Sequence, residues 1–212
     1  MDTIVQKLPD NCRRNIHEIV KLFAEIDMRV ADFVRITGIH CPEGCGFCCN
    51  SIEIETTVLE MLPLSAWLWA NGKADGVLSM LSRTSNNTCV FFNKAPKTGG
   101  NGHCTIYGLR PLICRLFGFF TNKDKNGKYT YGSCKVIKEV YPETYKKCLR
   151  LIEAGYHPSN MTDFSVRVIA QGTDFGRKML TINTAAKIAI EKIGFMLSLI
   201  ETPPETPNPR AA

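Results

Sequence analysis

The chain has 212 residues, a net charge of +6 and 44% hydrophobic residues, an ordinary composition for a globular domain that buries its own core. It begins without the apolar segment of a secretory signal, and its apolar stretches, such as MLPLSAWLWA and IGFMLSLI, are too short to cross a bilayer. We therefore expect a cytoplasmic protein with reduced thiols, and the composition argues against a membrane-spanning chain or a disulfide-stabilised miniprotein.

The first part of the chain predicts helices around one short strand. Apolar residues three or four positions apart define the first helix, and Gly38 ends it. Thr57 and Glu60 have the spacing of a capping box, and Pro63 is expected to break or bend the helix that they begin. The predicted elements are a helix at residues 10–37, a strand in SIEIE at 51–55, a helix from Thr57 toward Trp69 and a helix at 74–83.

The remainder of the chain predicts two β-hairpins followed by helices. The segments CVFF and CTIY flank a Gly-rich loop, and a second hairpin turns at an Asn-Gly pair between FGFFT and KYTYG. Pro111 suits the first turn of a short helix that carries Cys114. The later predictions are a helix at 133–155 interrupted at Pro142, helices at 161–174 and 182–200, and a Pro-rich disordered tail at 201–212.

Eight of the ten cysteines lie between residues 41 and 134, where the chain bends or an element begins. They are Cys41, Cys45, Cys48, Cys49, Cys89, Cys104, Cys114 and Cys134. The segment CPEGCGFCC has the short spacers of a chelating loop, whose glycines free backbone amides to turn toward the sulfurs. Because the adjacent Cys48 and Cys49 project differently, they suit two neighbouring centres better than one tetrahedron.

Metal binding is the hypothesis that this density of thiols favours over ordinary buried thiols or disulfides. Eight sulfurs suffice for two four-thiolate sites or for one polynuclear cluster with spare ligands. We favour an iron–sulfur cluster over zinc because adjacent cysteines and surplus ligands suit a polynuclear centre. Cys12 and Cys148 are predicted to pack in the core. His40 and His103 each precede a cluster cysteine and could ligate through nitrogen, although an orienting or incidental role is favoured.

The positive charge is concentrated between residues 110 and 150, which contain ten Lys or Arg and three Asp or Glu. A solvated helix face is the favoured interpretation. Nucleic-acid binding is disfavoured because no interleaved aromatic platform or nucleic-acid motif accompanies the basic residues. The third alternative is that these cations compensate the negative charge of thiolate-bound metal.

The order of the cysteine motifs is similar to that of a known family. CPEGCGFCC, Cys89-Val-Phe-Phe, Cys104-Thr-Ile-Tyr, LRPLICRLFG and a last Cys134 resemble the YkgJ-like cysteine-cluster family, also called the CxxCxxCC zinc- or iron-chelating domain. The resemblance covers about residues 38–135 and includes the eight cysteines in order. The opening spacer departs from the pattern, because it has three residues here and two in the family's name.

The resemblance implies a metal-chelating module, of a kind often labelled an iron–sulfur oxidoreductase without a defined reaction. It implies that the eight clustered cysteines are ligands, that Arg110 and Arg115 are cations beside them, and that Tyr107 and Phe117 pack over the centre. For both arginines, a helix-surface or carboxylate-pairing role is the alternative. A related segment occurs in flagellin lysine methylases, so a protein-modifying role is a further alternative.

A second resemblance is confined to the opening loop. In spacing, Cys41, Cys45 and Cys48 resemble the cluster loop of radical S-adenosylmethionine enzymes, in which three thiolates leave one iron open. Such enzymes are built on βα barrels, whereas this chain predicts no βαβα alternation and has five further clustered cysteines. We therefore disfavour this interpretation.

The expected fold is mainly α with small β-hairpins, an irregular cysteine-rich metal-binding module surrounded by helices. One domain is expected over residues 1–200, with the module at 38–135 and flanking helices at 10–37 and 136–200. The expected function is metal chelation with a redox role. The alternatives are a structural zinc-binding interaction module, a metal carrier and a component of a protein-modifying enzyme. No catalytic residue is assigned, because no nucleophile–base pair, phosphate loop or nucleotide fingerprint is present. Metal ions are the expected partners, a protein partner is left open, and nucleic acid is disfavoured.

Overall fold

The computed structural model describes residues 1–51, 54–84, 88–94, 102–171 and 174–201. Most of the Gly-rich loop between the first two predicted hairpin strands lies outside these residues. The predicted tail also lies outside them, apart from Glu201, which ends the last helix.

Helices form most of the described chain, which confirms the mainly α class. The long amphipathic helix occupies Asp10–Thr37 as predicted, and Gly38 ends it with a left-handed φ of 79°. A first helix that the sequence did not predict precedes it. The helices are α1 (Asp2–Lys7), α2 (Asp10–Thr37), α3 (Val58–Ala70), α4 (Ala74–Arg83), α5 (Leu112–Leu116), α6 (Lys135–Val140), α7 (Pro142–Glu153), α8 (Met161–Ile169) and α9 (Ile182–Glu201).

The strands are short and form antiparallel pairs. The strand predicted in SIEIE lies partly outside the described residues, at positions 52–53, and the observed strand Glu55–Thr56 begins at its last residue. Its partner is a distant segment just before α9. The other two pairs are hairpins that the sequence predicted, the first one displaced toward its loop. The strands are β1 (Glu55–Thr56) with β6 (Leu180–Thr181), β2 (Phe92–Asn93) with β3 (His103–Cys104), and β4 (Phe120–Lys123) with β5 (Tyr129–Gly132).

Helix α3 forms the centre of the main core, where it packs against α9 and α2. Its side chains Leu59, Met61 and Leu64 are fully buried, because this helix is apolar on nearly every face. The expected break at Pro63 is wrong: the helix runs through it from Val58 to Ala70. Tertiary packing on both sides therefore outweighs the local preference of proline.

Helices α6 and α7 follow the prediction, with the interruption at Pro142, whereas α8 ends at Ile169 and is shorter than predicted. A second, smaller core joins the end of α2 to α6 and α7. Cys148 is completely buried in it, and Cys12 is 3% exposed in the main core. The packing role predicted for these two cysteines is confirmed.

Among the residues that the structure describes, no helix is both long enough and apolar enough to span a membrane.

Candidate metal centre

The loop Cys41–Cys49 is shaped by two glycines. Gly44 and Gly46 have φ values of 63° and 55°, a left-handed conformation that other residues rarely adopt. A Cβ placed on Gly46 would lie 2.7 Å from the ring of Phe92 and 3.0 Å from the carbonyl oxygen of Gly102. The absence of side chains therefore lets the loop pack against the β2–β3 hairpin, which carries Cys104.

Cys89 is positioned by a side chain from the last helix. The carboxamide of Asn183 accepts a hydrogen bond from Val90 N at 3.0 Å and donates one to Thr88 O at 2.9 Å. These two bonds bracket Cys89, which is 7% exposed. Helix α9 therefore fixes the backbone on both sides of this thiol.

Cys114 lies on α5, whose start is held by a buried carboxylate. Glu60 is 3% exposed and completes a capping box with Thr57 at the start of α3. Its second oxygen accepts a hydrogen bond from Leu112 N at 2.8 Å. One carboxylate therefore satisfies the first turns of two helices and sets the position of Cys114 relative to the main core.

Cys134 lies at the N-terminal end of α6 and packs in the second core. Gly118 approaches it closely: a Cβ on this glycine would lie 3.5 Å from the Cβ of Cys134 and 3.0 Å from Ile137 Cδ1. The turn after α5 is thereby brought against the start of α6. Each core thus presents cysteines to the same region.

Six of the eight clustered cysteines line one open cleft with a volume of about 310 Å³. Cys41 is exposed at its mouth, whereas the other five are half-buried. We call this space the cysteine cleft. Its lining cysteines are Cys41, Cys45, Cys48, Cys49, Cys104 and Cys114.

A small apolar cavity of about 20 Å³ adjoins the cleft and is lined by five cysteines. We call four of these five cysteines the inner group, and the fifth is Cys48. The inner group consists of Cys49, Cys89, Cys104 and Cys114. The three remaining thiols form the outer group, Cys41, Cys45 and Cys134.

Cys48 belongs to the surroundings of both groups. It lines the cleft and the cavity, and its charge affects the pKa of Cys41, Cys89 and Cys114. Cys134 does not line the cleft, but its sulfur also raises the pKa of Cys41. The eight clustered cysteines therefore lie in one region of the fold, close enough for the charges of neighbouring sulfurs to interact.

The thiols perturb one another strongly. A hydrogen bond with the Cys49 thiol, assisted by the Arg110 guanidinium, lowers the pKa of Cys48 to about 6. A hydrogen bond with the same thiol lowers the pKa of Cys104 to about 7, and these two interactions raise the pKa of Cys49 itself. Hydrogen bonding with the Cys49 thiol thus favours the thiolate form of Cys48 and of Cys104, the form that binds metal.

Burial opposes ionisation of the surrounding thiols. It is the main reason why the pKa of Cys41 rises to about 12 and that of Cys89 to about 11, and it also raises the pKa of Cys114. Neighbouring sulfurs add to each of these shifts, since negative charges repel. A bound cation would remove that repulsion, and the chemistry of this donor set therefore fits a thiolate-bound metal.

All ten cysteines are free thiols in the structure. Within the described parts of the chain, no three Cys, His, Asp or Glu side chains are placed so that a single ion could bind them as they stand. The sulfurs surround shared space without forming a finished polyhedron. Metal binding would therefore need side-chain rotation and a tightening of the cysteine loop around the ion.

The two arginines that the family resemblance places beside the centre have different surroundings. The charge of Arg110 affects the pKa of Cys48, Cys104 and Cys114, and its guanidinium lies 3.4 Å from the centre of the Tyr107 ring. Arg115 instead pairs with Asp27 on α2 at 2.5 Å. Arg110 therefore faces the cysteines, whereas carboxylate pairing, the alternative role, describes Arg115.

Arg115 also fastens the segment before α5. It is 4% exposed, and its guanidinium donates to the carbonyl oxygens of Arg110 at 2.7 Å and Gly108 at 2.6 Å. The centre of the Phe23 ring lies 4.3 Å from the Cζ atom of Arg115. The buried guanidinium thereby holds the backbone that carries Arg110 against α2.

Other basic residues of the 110–150 stretch are surface groups. Lys135 pairs with Glu139 on α6, and Lys146 pairs with Glu143 on α7, in both cases between exposed side chains. The prediction of a solvated face applies to these residues. Charge compensation at the cysteines is supported for Arg110.

The aromatic residues expected over the centre also differ. Phe117 is half-buried and lines both the cysteine cleft and the small cavity. Tyr107 lines the cleft as well, but it is 63% exposed and stacks on Arg110. Phe117 is therefore the side chain that limits water access, whereas Tyr107 orients a cation at the rim.

The two histidines that precede cluster cysteines are not equivalent. His40 is exposed, its Nδ1 lies 3.0 Å from Gly38 O, and its ring packs 4.5 Å from that of Tyr141. His103 lines the cysteine cleft, and its Nδ1 is buried without a hydrogen-bond partner among the described residues.

Sequence reasoning missed two residues that position the cysteines. The capping-box spacing revealed the first role of Glu60 but gave no sign of its bond to α5. Nothing in the sequence distinguishes Asn183 as the anchor of the Cys89 segment, because its partners are more than 90 residues away.

Comparison with protein families adds a separate observation. Residues 40–135 match the family model CxxCxxCC, described as a putative zinc- or iron-chelating domain. The matched segment contains all eight clustered cysteines. Residues 40–135 are therefore similar to a zinc- or iron-chelating domain. A search of curated proteins and a search of solved structures each gave no significant match.

Proposed function

We propose that the eight clustered cysteines of this metal-chelating protein bind an iron–sulfur cluster or paired metal centres, and that the bound metal serves a redox role. The observation that carries the proposal is the convergence of six cluster thiols on one open cleft, with the other two beside them. An open cleft next to the sulfurs is what a redox protein needs, because its electron-transfer partner must approach the centre. The reducing cytoplasm is the compartment that suits such thiols.

The outer and inner groups support two neighbouring sets of ligands. Cys48 lines both the cleft and the small cavity. Adjacent cysteines can serve two sets in this way, because their side chains point in different directions. Five thiols line the small apolar cavity, and an apolar surrounding suits a water-poor cluster. Of the outer group, Cys41 is exposed at the mouth of the cleft, where a ligand can exchange or meet a partner.

The protein's own side chains prepare this environment. When bound, an iron–sulfur cluster would supply one-electron transfer. Arg110 places positive charge beside the inner thiols and stabilises the net negative charge of a thiolate centre. Phe117 and Ile106 line the small cavity and keep water from it. Asn183 and Glu60 hold two of the ligand-bearing segments in place.

The proposal is tested by preparing the protein without oxygen and measuring visible absorption, iron, zinc and acid-labile sulfide. A brown protein that contains iron and sulfide and bleaches on reduction supports it. A folded protein without metal would overturn the metal-binding function as a whole.

A structural zinc-binding interaction module is the second candidate. The observation in its favour is that five thiols line the small apolar cavity, because a structural zinc site is filled by four protein ligands. A colourless protein with about two zinc ions per chain and no sulfide would support this candidate over the redox role.

A further inference from the structure

We propose that His103 supplies a nitrogen ligand to the metal centre on the side of the outer group. The inference rests on the proposed metal binding and changes the donor set, because the sequence favoured an orienting or incidental role for this residue. The ligands would then be eight sulfurs and one nitrogen rather than sulfurs alone.

The first observation is the state of the imidazole. Its Nδ1 is buried and has no hydrogen-bond partner within the described residues. Native proteins rarely leave a buried ring nitrogen without a partner, because the hydrogen bonds that it made to water are then not replaced. A metal ion accepts the lone pair of this nitrogen and would satisfy it.

The second observation is the place of the ring. His103 lines the cysteine cleft together with Cys41, Cys45 and Cys48, whereas it does not line the small inner cavity. His103 therefore shares the cleft with two thiols of the outer group and with Cys48. The inner side already has five thiols around its cavity.

The third observation is the rigidity of the backbone that carries the ring. His103 lies on β3, where it pairs with Asn93. The preceding Gly102 contacts Phe92 and Asn93 so closely that a Cβ there would collide with both. The backbone of His103 is therefore held next to Cys104 by the pairing of β2 with β3.

The donor count agrees with this assignment. The outer group has three thiols besides the shared Cys48, and three cysteines with one histidine form a common tetrahedral zinc set. In iron–sulfur centres, histidine replaces cysteine at individual irons and raises the reduction potential. His103 thus gives the outer group a fourth donor of its own, in addition to the shared Cys48.

His40 provides a matched control. It also directly precedes a cluster cysteine, but its Nδ1 already contacts Gly38 O, and its ring is exposed and packs 4.5 Å from that of Tyr141. Replacing it removes an imidazole next to Cys41 without removing a buried unpartnered nitrogen.

The experiment compares the metal-loaded wild-type protein with the His103→Ala, His103→Cys and His40→Ala variants. Zinc-edge X-ray absorption counts nitrogen and sulfur neighbours, and pulsed electron paramagnetic resonance of the reduced iron form detects directly bound nitrogen. We expect nitrogen coordination in the wild type and in His40→Ala, and none in His103→Ala. In His103→Cys, sulfur should replace nitrogen.

Competition with a chelator should show that His103→Ala lowers metal affinity by about tenfold or more, whereas His40→Ala leaves it unchanged. Metal bound by sulfur alone in the wild type would overturn this inference and leave the proposed function standing. A wild-type protein that binds no metal would overturn both. If His103→Ala fails to fold, the wild-type and His103→Cys spectra decide the question.

Discussion

The side-chain amide of Asn183 brackets Cys89, bonding to the residue before it and to the residue after it. Its oxygen accepts from Val90 N at 3.0 Å and its nitrogen donates to Thr88 O at 2.9 Å. A thiol without a regular element of its own is thereby tied to the longest helix of the C-terminal part. The last third of the chain, which lies outside the matched family segment, thus helps to build the centre.

The Asn183→Ala variant should lose both bonds, the one from Val90 N and the one to Thr88 O. We expect the free energy of unfolding to fall by about 1–3 kcal/mol and metal to exchange faster from the inner group. Denaturant unfolding and metal release to a chelator measure the two effects.

Asn183→Asp tests the assignment further, because a carboxylate still accepts from Val90 N but cannot donate to Thr88 O. It should lie between the wild type and Asn183→Ala. The control is Asn71→Ala, which removes an exposed amide that bonds to Trp67 O. Equal metal release in all variants would show that Asn183 does not position Cys89.

Glu60 is expected to be more important for stability than its place in one capping box suggests. Glu60→Ala removes the acceptor of Thr57 N and Leu112 N together, and both amides lie in buried surroundings. We expect a loss of about 2–4 kcal/mol in the free energy of unfolding. Glu191→Gln, at an exposed pair with Lys187, should change stability by less than about 0.5 kcal/mol. A similar small effect at Glu60 would contradict its role in joining α3 to α5.

The two arginines near α5 should separate function from stability. Arg115→Ala removes a buried guanidinium from Asp27 and two backbone carbonyls, and we expect a loss of about 2–4 kcal/mol. Arg115→Lys should restore little, because an ammonium group cannot reproduce the planar fork.

Arg110→Ala should leave the free energy of unfolding within about 0.5 kcal/mol of the wild-type value. It should weaken metal binding and shift the reduction potential of an iron-loaded protein to more negative values, because a cation beside the inner thiols is lost. Potentiometry of the iron-loaded wild-type protein and of the Arg110→Ala variant measures this shift. An Arg110→Ala potential identical to that of the wild type would exclude the charge-compensating role.

The predictability of this fold differs from element to element. Helix α2 was predicted with its bounds because its apolar stripe and Gly38 are local signals. The break at Pro63 was predicted wrongly, because the sequence does not show how completely α3 is enclosed by α2 and α9. Helix α8 is shorter than predicted, because periodicity fixes the end of a helix poorly.

The candidate site divides in the same way. Cysteine spacing predicts a chelating loop, because short spacers act within the segment itself. The pairing of Asn183 with the Cys89 segment and the pairing of Arg115 with Asp27 join residues 93 and 88 positions apart. Contacts of that kind depend on the folded topology, which spacing does not encode. The sequence likewise did not predict that His40 is exposed and that His103 has a buried nitrogen, because both residues directly precede a cysteine.

Cys48 is expected to affect more of the bound metal than any outer cysteine. Cys41→Ala should empty the outer side alone, because Cys41 does not line the inner cavity. Cys48→Ala should reduce the metal content of both sides, since this sulfur neighbours both groups. Native mass spectrometry of the zinc-loaded variants separates partial from complete loss. Identical stoichiometries for the two variants would contradict the division into outer and inner groups.

The central claim is that the eight clustered thiols hold metal and that the other two do not. Metal content per folded chain, measured in the wild type and in ten variants with single Cys→Ala replacements, tests it most directly. We predict that each of the eight cluster variants loses metal, while Cys12→Ala and Cys148→Ala retain the wild-type amount. Wild-type metal content in the cluster variants, or a folded wild-type protein without metal, would contradict the account.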